Sequence, residues 1–91
     1  MAVLVDDPLW PAHGRLWAHL VSDTSLDELH AFAAAQNVPA RAFDRDHYDV
    51  PADMLPALLA AGAEHVGGKE LVRRLIGSGL RVKARERRRP L

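Results

Sequence analysis

The alternation of apolar and polar residues predicts two short strands in the first part of the chain. Residues 2–5 form an apolar, β-branched run that ends in two aspartates, which is typical of a buried strand. A second apolar run, residues 16–21, alternates less regularly but also fits a strand. Pro8 and Pro11 disfavour regular pairing, so they predict a loop between the two strands that continues to Gly14.

The first helix is predicted from its ends as well as from its apolar spacing. Ser25 and Glu28 have the spacing of a capping box, in which each side chain bonds the backbone amide of the other residue. Leu29 and Phe32 recur at helical spacing and should face the core. Asn37 can take the left-handed conformation that ends a helix, so we expect the helix to end close to it.

The second half of the chain predicts two further strands and two further helices. Residues 40–43 fit a strand weakly, and residues 63–66 fit a short strand. Pro56 is tolerated only in the first turn of a helix, which favours a second helix capped by Asp53. A third helix is predicted over residues 69–76, which lie between glycines.

These elements follow one another as strand, strand, helix, strand, helix, strand and helix. That alternation predicts an α/β fold: a small single domain with a three- to four-stranded, mostly parallel sheet flanked by about three helices. The domain should span residues 1–82, and the length of 91 residues fits one domain. Residues 83–91 are rich in arginine and have little to bury, so we expect a basic, flexible tail.

The formal net charge of zero conceals two oppositely charged parts. Residues 1–68 contain three basic and ten acidic residues, whereas residues 69–91 contain nine basic and two acidic ones. This split predicts contact between the tail and an anionic partner such as nucleic acid, although a solvated tail that complements the acidic body also explains it. The residues that would meet the phosphates are Arg85, Arg87, Arg88 and Arg89.

Composition excludes several classes of protein. The chain has no cysteine, which excludes disulfides, a thiol nucleophile and thiolate metal sites. No apolar run approaches the roughly 20 residues that span a bilayer, so we expect no membrane contact. The first residues lack the basic start and the long apolar core of a signal peptide, so we expect a cytoplasmic protein.

The densest group of reactive side chains is Asp-Arg-Asp-His-Tyr-Asp at residues 44–49, which we predict to be a loop after the third strand. In a parallel sheet the carboxyl ends of the strands meet at one edge, so this loop should lie near polar residues that follow the other strands. Carboxylates beside histidines are ligands of divalent ions, although aspartates also favour turns and caps without any ion. The predicted metal ligands are Asp7, His19, His47 and Asp49.

The same stretch supplies the candidate catalytic residues. His47 is flanked by acids and is the best candidate for a general base, with Tyr48 and Asp49 beside it. Tyr48 would donate a hydrogen bond to an anionic substrate, or it would simply pack its ring against the sheet. Arg45 would neutralise a phosphate. The predicted substrate-binding residues are Arg45, Trp17 and Asp6.

These residues leave two main functions open. The first is binding of a divalent metal or a phosphorylated small molecule, extended to phosphoester hydrolysis. The second is a non-catalytic binding or accessory module for nucleic acid or a protein partner. Trp10 and Trp17 would either cover an edge of the core or form a base-stacking platform, and Trp10 could also lie at the contact of a homodimer. The residues do not decide whether the protein is an enzyme.

Resemblance to a known family is carried by four stretches: VLVDDPLWPAHGRLWAHLVSDTSLDELHAFA, AFDRDHYDVP, AAGAEHV and KELVRRL. They are similar to a small bacterial and phage family catalogued as domain of unknown function 4031, over about residues 3–82. The family brings no established activity, so the resemblance supports the division into elements and leaves the function open. The positions that the resemblance marks as motif-bearing are Asp6, Asp7, Gly14, Trp17, His19, Asp23, Glu28, His30, Phe43, His47, Tyr48 and Asp49.

Overall fold

The computed structural model describes residues 2–82, which form six strands, three α-helices and two short 3-10 helices. The strands are β1 Val3–Val5, β2 Trp10–Ala12, β3 Arg15–Ser22, β4 Phe43–Asp44, β5 His47–Pro51 and β6 Glu64–His65. The α-helices are α1 Leu26–Ala35, α2 Leu55–Ala60 and α3 Gly68–Ser78, and the 3-10 helices are Ala40–Ala42 and Ala52–Met54. The predicted tail and its arginines lie outside the described residues. Within residues 2–82, none of the helices has the length and apolar character needed to span a bilayer.

The sheet is mixed and mostly antiparallel, with the strand order β4-β5-β3-β1-β6. β2 pairs with the first part of β3, and β1 pairs with the last part. Among the pairings of residues 2–82, β1 with β6 is parallel and the others are antiparallel. The prediction of a three- to four-stranded, mostly parallel sheet is therefore wrong, whereas the α/β class with three helices is confirmed.

Two tight turns account for much of the antiparallel pairing. His13 and Gly14 have positive φ angles of 51° and 74°, and they form the two-residue turn that returns β2 onto β3. Arg45 has a φ angle of 65° and lies in the turn between β4 and β5. Residues 44–49 are therefore the end of β4, a two-residue turn and the start of β5, not the predicted loop. The predicted proline-rich loop likewise contains β2, which tolerates Pro11 because it is an edge strand that pairs with β3 on one side.

Successive side chains of a strand alternate between the two faces of a sheet. We call the face under α1 and α2 the closed face. Its buried strand residues are Val3, Val5, Ala18, Leu20, Tyr48 and Val50. We call the opposite face the open face, because α3 covers only the part where Leu71 and Leu75 pack on Leu4 and Val21. Beyond α3, the open face carries Trp17, His19, His47 and Asp49.

The helix ends follow the predicted local signals only in part. Ser25 caps α1 by accepting a hydrogen bond from the Glu28 amide at 3.1 Å, as predicted. The Glu28 carboxylate, however, accepts a bond from the Ser22 hydroxyl at 2.6 Å, so only half of the capping box forms. α2 carries Pro56 in its first turn, as predicted, but it follows a 3-10 turn and has no side-chain cap from Asp53.

Candidate metal site on the open face

Strand pairing brings three side chains of metal-ligating type together on the open face. His19 of β3 and Asp49 of β5 are direct cross-strand partners, so their side chains lie next to each other. His47 precedes Asp49 by two residues and therefore lies on the same face. One ligand atom from each of the three residues lies within 4.8 Å of the others. We call these three residues the His/Asp group.

Asp6 fixes the ring of His19. Asp6 follows β1 directly and is buried. Its Oδ1 accepts the backbone N–H of His19 at 2.7 Å, and its Oδ2 accepts the ring Nδ1–H at 2.8 Å. This hydrogen bond to Asp6 raises the pKa of His19, against the opposing effect of burial. Because the Nδ1 proton is engaged, the neutral ring keeps its Nε2 lone pair for a cation.

Asp46 fixes the ring of His47 in the same way. The side chain of Asp46 is completely buried, and its Oδ1 accepts the Nδ1–H of His47 at 2.7 Å. Its Oδ2 accepts the backbone N–H of Val82 at 2.8 Å and lies 3.4 Å from a guanidinium nitrogen of Arg81. The segment that follows α3 therefore returns to the β4–β5 turn and holds this carboxylate in place.

Asp49 contributes an oxygen that residues 2–82 do not satisfy. Its Oδ1 is buried and forms an ion-pair contact of 3.1 Å with Nε2 of His47, but it has no hydrogen-bond partner among residues 2–82. A buried carboxylate oxygen without a hydrogen-bond partner is costly and uncommon. Two anchored imidazoles and an unsatisfied carboxylate thus converge, and either a proton or a metal ion at this point would satisfy them.

Aromatic rings extend the His/Asp group across the open face. Trp10 of β2 stacks on Trp17 with ring centroids 5.9 Å apart and on His19 at 6.0 Å. His19 in turn meets His47 edge to face at 5.1 Å. A groove of about 540 Å³ lies beside these rings and is bordered by Asp49. A space of small-molecule size therefore adjoins the His/Asp group.

Three of the four predicted metal ligands are brought together, and the fourth is not. Asp7 lies outside the His/Asp group, because its Oδ1 is 2.7 Å from Nε2 of His65 in an exposed pair. Of the predicted substrate contacts, Trp17 borders the groove. Asp6 is engaged by His19, so its carboxylate positions a ring and does not face a substrate.

Tyr48 and Arg45 are not part of the His/Asp group. Tyr48 lies between His47 and Asp49 in sequence, so alternation turns it to the closed face, where it is 4% exposed. Its hydroxyl lies 2.7 Å from Nδ1 of His30, and burial raises the pKa of the phenol. The ring of Tyr48 is therefore packed in the core, outside the His/Asp group, and its predicted contact with an anionic substrate stays a prediction. Arg45 is exposed in the β4–β5 turn.

Asp46 and Arg81 are the residues whose roles the sequence did not reveal. Asp46 stands in the acidic stretch 44–49, where nothing local distinguishes it from the exposed Asp44. Its burial depends on contacts with residues 35 and 36 positions further along the chain, which no local pattern reports. The positive charge of Arg81 opposes the rise in the pKa of His19 that Asp6 causes, so this arginine lies near the His/Asp group.

Comparison with known proteins identifies a family. A family model described as "Protein of unknown function (DUF4031)" matches residues 3–78, which include the whole His/Asp group and both anchoring aspartates. No curated protein and no solved structure gave a match. The comparisons assign no reaction, so the functional argument depends on the geometry of the open face.

Proposed function

The chain belongs to the family described as "Protein of unknown function (DUF4031)", and from its geometry we propose that it binds a divalent transition-metal ion and hydrolyses phosphoesters. The ligands are His19, His47 and Asp49. The observation that carries this proposal is the convergence of two imidazoles, each anchored through Nδ1 by a buried carboxylate, on an oxygen without a hydrogen-bond partner among residues 2–82.

The ligand atom of each histidine follows from the hydrogen bond that its other ring nitrogen makes. Nδ1 of each histidine bonds an aspartate, which leaves Nε2 for the ion. A carboxylate behind each ligating histidine is the usual arrangement at metal sites, because it fixes the tautomer and raises the basicity of the ring. In a tetrahedral zinc site with bonds of about 2.1 Å, two ligand atoms lie about 3.4 Å apart. The ligand atoms of the His/Asp group lie within 4.8 Å of one another, so zinc binding would bring them closer by up to about 1.4 Å.

The composition of the His/Asp group selects the class of ion. Imidazole nitrogen suits zinc, iron, nickel and copper, whereas magnesium and calcium prefer oxygen ligands. Three protein ligands leave a coordination position open, which is the pattern of catalytic rather than structural zinc sites. When bound, such an ion would supply a water molecule with a pKa lowered towards neutrality. Arg81 lies 3.4 Å from Asp46 and its charge acts on His19, so it would help to attract an anionic substrate towards the His/Asp group.

Titration of metal-free protein with zinc, manganese and magnesium tests the metal site. We expect calorimetry to show one zinc ion bound per chain, with weaker or no binding of magnesium. His47→Ala and Asp49→Ala should abolish zinc binding, whereas the matched control His65→Ala should retain it, because His65 pairs with Asp7 outside the His/Asp group. Binding of none of the three ions, or the same loss in His65→Ala, would contradict the proposal.

Turnover of bis(p-nitrophenyl) phosphate tests the hydrolytic part. Zinc-loaded protein should release p-nitrophenol, and His47→Ala should not. Zinc binding without turnover of this diester or of p-nitrophenyl phosphate would reject hydrolysis and leave a metal-binding module. The predicted nucleic-acid contact of the tail falls outside residues 2–82, and it stays a prediction together with the homodimer and the cytoplasmic location.

A further inference from the structure

Two kinds of side chain in the lining of the groove beside the His/Asp group point to one class of ligand. Trp10 and Trp17 supply stacked aromatic rings. Arg15, at the start of β3, and Arg41, in the 3-10 helix before β4, also line the groove and are exposed. Within residues 2–82 neither arginine forms a salt bridge, so both guanidinium groups can meet an anion.

The indole nitrogens of the two tryptophans differ in their partners. Nε1 of Trp17 donates to the backbone oxygen of Ala12 at 2.8 Å, which ties its ring to the β2–β3 hairpin. Nε1 of Trp10 is buried and has no hydrogen-bond partner among the described residues. A buried donor of this kind usually has an acceptor, and a shift of the Trp10 ring towards the groove would let an oxygen of a bound ligand supply one.

We propose that this groove binds a nucleoside phosphate, with the base on the tryptophan rings and the phosphate between Arg15 and Arg41. Stacking on tryptophan suits any nucleobase because every base has a π-face, and guanidinium forks match phosphate oxygens. The groove volume of about 540 Å³ lies within the range of small-molecule sites. A sugar phosphate or inorganic phosphate would satisfy the arginines but leave both tryptophans unused.

Asp49 borders the same groove, so a ligand bound there would contact one of the proposed metal ligands. The lining of the groove alone supports a nucleoside phosphate as the ligand. Its assignment as the substrate rests on the proposed function. Two sources share this chemistry: a free nucleotide and one unit of a single-stranded nucleic acid.

Calorimetry on the full chain in EDTA, without metal, tests the ligand class. Adenosine 5′-monophosphate should bind about tenfold or more tightly than adenosine or ribose 5-phosphate, because each of the latter lacks one of the two contacts. Ribose 5-phosphate binding as tightly as the nucleotide, or no nucleotide binding, would overturn the inference. A six-residue oligonucleotide that binds more tightly than the nucleotide identifies nucleic acid as the source, and equal affinity identifies the free nucleotide.

Two variants and a control locate the contacts. Arg41→Gln should weaken binding of adenosine 5′-monophosphate about tenfold and leave adenosine unchanged. Arg73→Gln removes the same charge from α3, outside the groove, and should change neither. Trp10→Leu should weaken nucleotide and nucleoside alike. Equal losses in Arg41→Gln and Arg73→Gln would contradict the inference.

Zinc titration of the same preparations separates the two proposals. If the nucleotide binds in EDTA but the titration shows no zinc binding, the proposed function is wrong and the nucleotide-binding groove stands. If zinc binds but the nucleotide does not, the groove is not a nucleotide site and the proposed metal site stands.

Discussion

The closed face and the open face are built from the same strands, but their side chains do different things. On β3, Ala18 and Leu20 are completely buried under helices, whereas His19 between them is partly exposed and bonded to a carboxylate. On β5, Val50 is buried and its neighbour Asp49 belongs to the His/Asp group. One strand can thus contribute core side chains on one face and reactive side chains on the other. Such a site has the rigidity of the sheet, which a loop would not provide.

Removing core volume on the closed face should have the largest effect. Leu20 is completely buried, so Leu20→Ala leaves a cavity and should lower the free energy of unfolding by about 2–5 kcal/mol. Leu16→Ala is the same change at an exposed position of the same strand and should cost less than about 0.5 kcal/mol. Urea denaturation measures both values. Similar losses in the two variants would contradict the description of the closed face as the core.

Removing an anchor on the open face should affect metal binding more than packing. Both carboxylate oxygens of Asp46 accept hydrogen bonds, one from the His47 ring and the other from the Val82 amide, and an asparagine has only one acceptor oxygen for them. Asp46→Asn should therefore weaken zinc affinity by about 10- to 100-fold, or about 1.4–2.8 kcal/mol. Asp44→Asn, a matched change at the exposed neighbour, should leave it unaltered. Zinc titration measures both variants. Wild-type affinity in Asp46→Asn would show that Asp46 does not position the ring of His47 for the metal.

The hairpin that carries the tryptophans depends on its turn. Gly14 has a φ angle of 74°, so Gly14→Ala should lower the free energy of unfolding by about 1–2 kcal/mol although the added methyl group has space. Gly77 lies inside α3, also with space around it, so Gly77→Ala should raise that free energy by about 0.5–1 kcal/mol. Thermal unfolding of both variants checks the opposite signs. A stabilising Gly14→Ala would contradict the turn.

Acid should lower the free energy of unfolding through Asp23, which bonds Arg74 of α3 at the covered part of the open face. We expect this to be the smallest of the effects. Burial would raise the pKa of Asp23, but hydrogen bonds from the Ala2 amide and from Arg74 outweigh it and lower the pKa below 3.8. The stability from Asp23 is therefore fully present above pH 3.8 and is lost as the pH falls through the lowered pKa.

Urea denaturation of wild type and Asp23→Asn over this pH range measures that contribution. The difference in the free energy of unfolding between the two proteins should shrink as the pH falls. A difference that is constant, or that grows in acid, would show that Asp23 has no lowered pKa in the folded protein.

Local features of the fold could be predicted from the sequence, and pairing could not. The cap at Ser25 and the left-handed Asn37 depend on a few neighbouring residues, so the position of α1 was predictable. The direction of a strand depends on distant partners. β1 pairs antiparallel with β3 and parallel with β6, and no local pattern contains that information.

The residues of the candidate site could be predicted from the sequence, but the way in which the fold brings them together could not. His19, His47 and Asp49 were identified by their residue types, yet they meet through cross-strand pairing and not at the ends of parallel strands. The stretch 44–49 was predicted as a loop that follows a third strand, yet residues 47–49 begin β5 and place His47 and Asp49 on its open face. Asp46 gains its role only through the segment that follows α3.

The most direct test of the His/Asp group is a crystal of the protein soaked in zinc, with anomalous difference maps calculated at the zinc edge. The geometry predicts one peak about 2.0–2.2 Å from Nε2 of His19, Nε2 of His47 and a carboxylate oxygen of Asp49. Density at the exposed Asp7–His65 pair alone, or no peak at the three converging atoms, would contradict it.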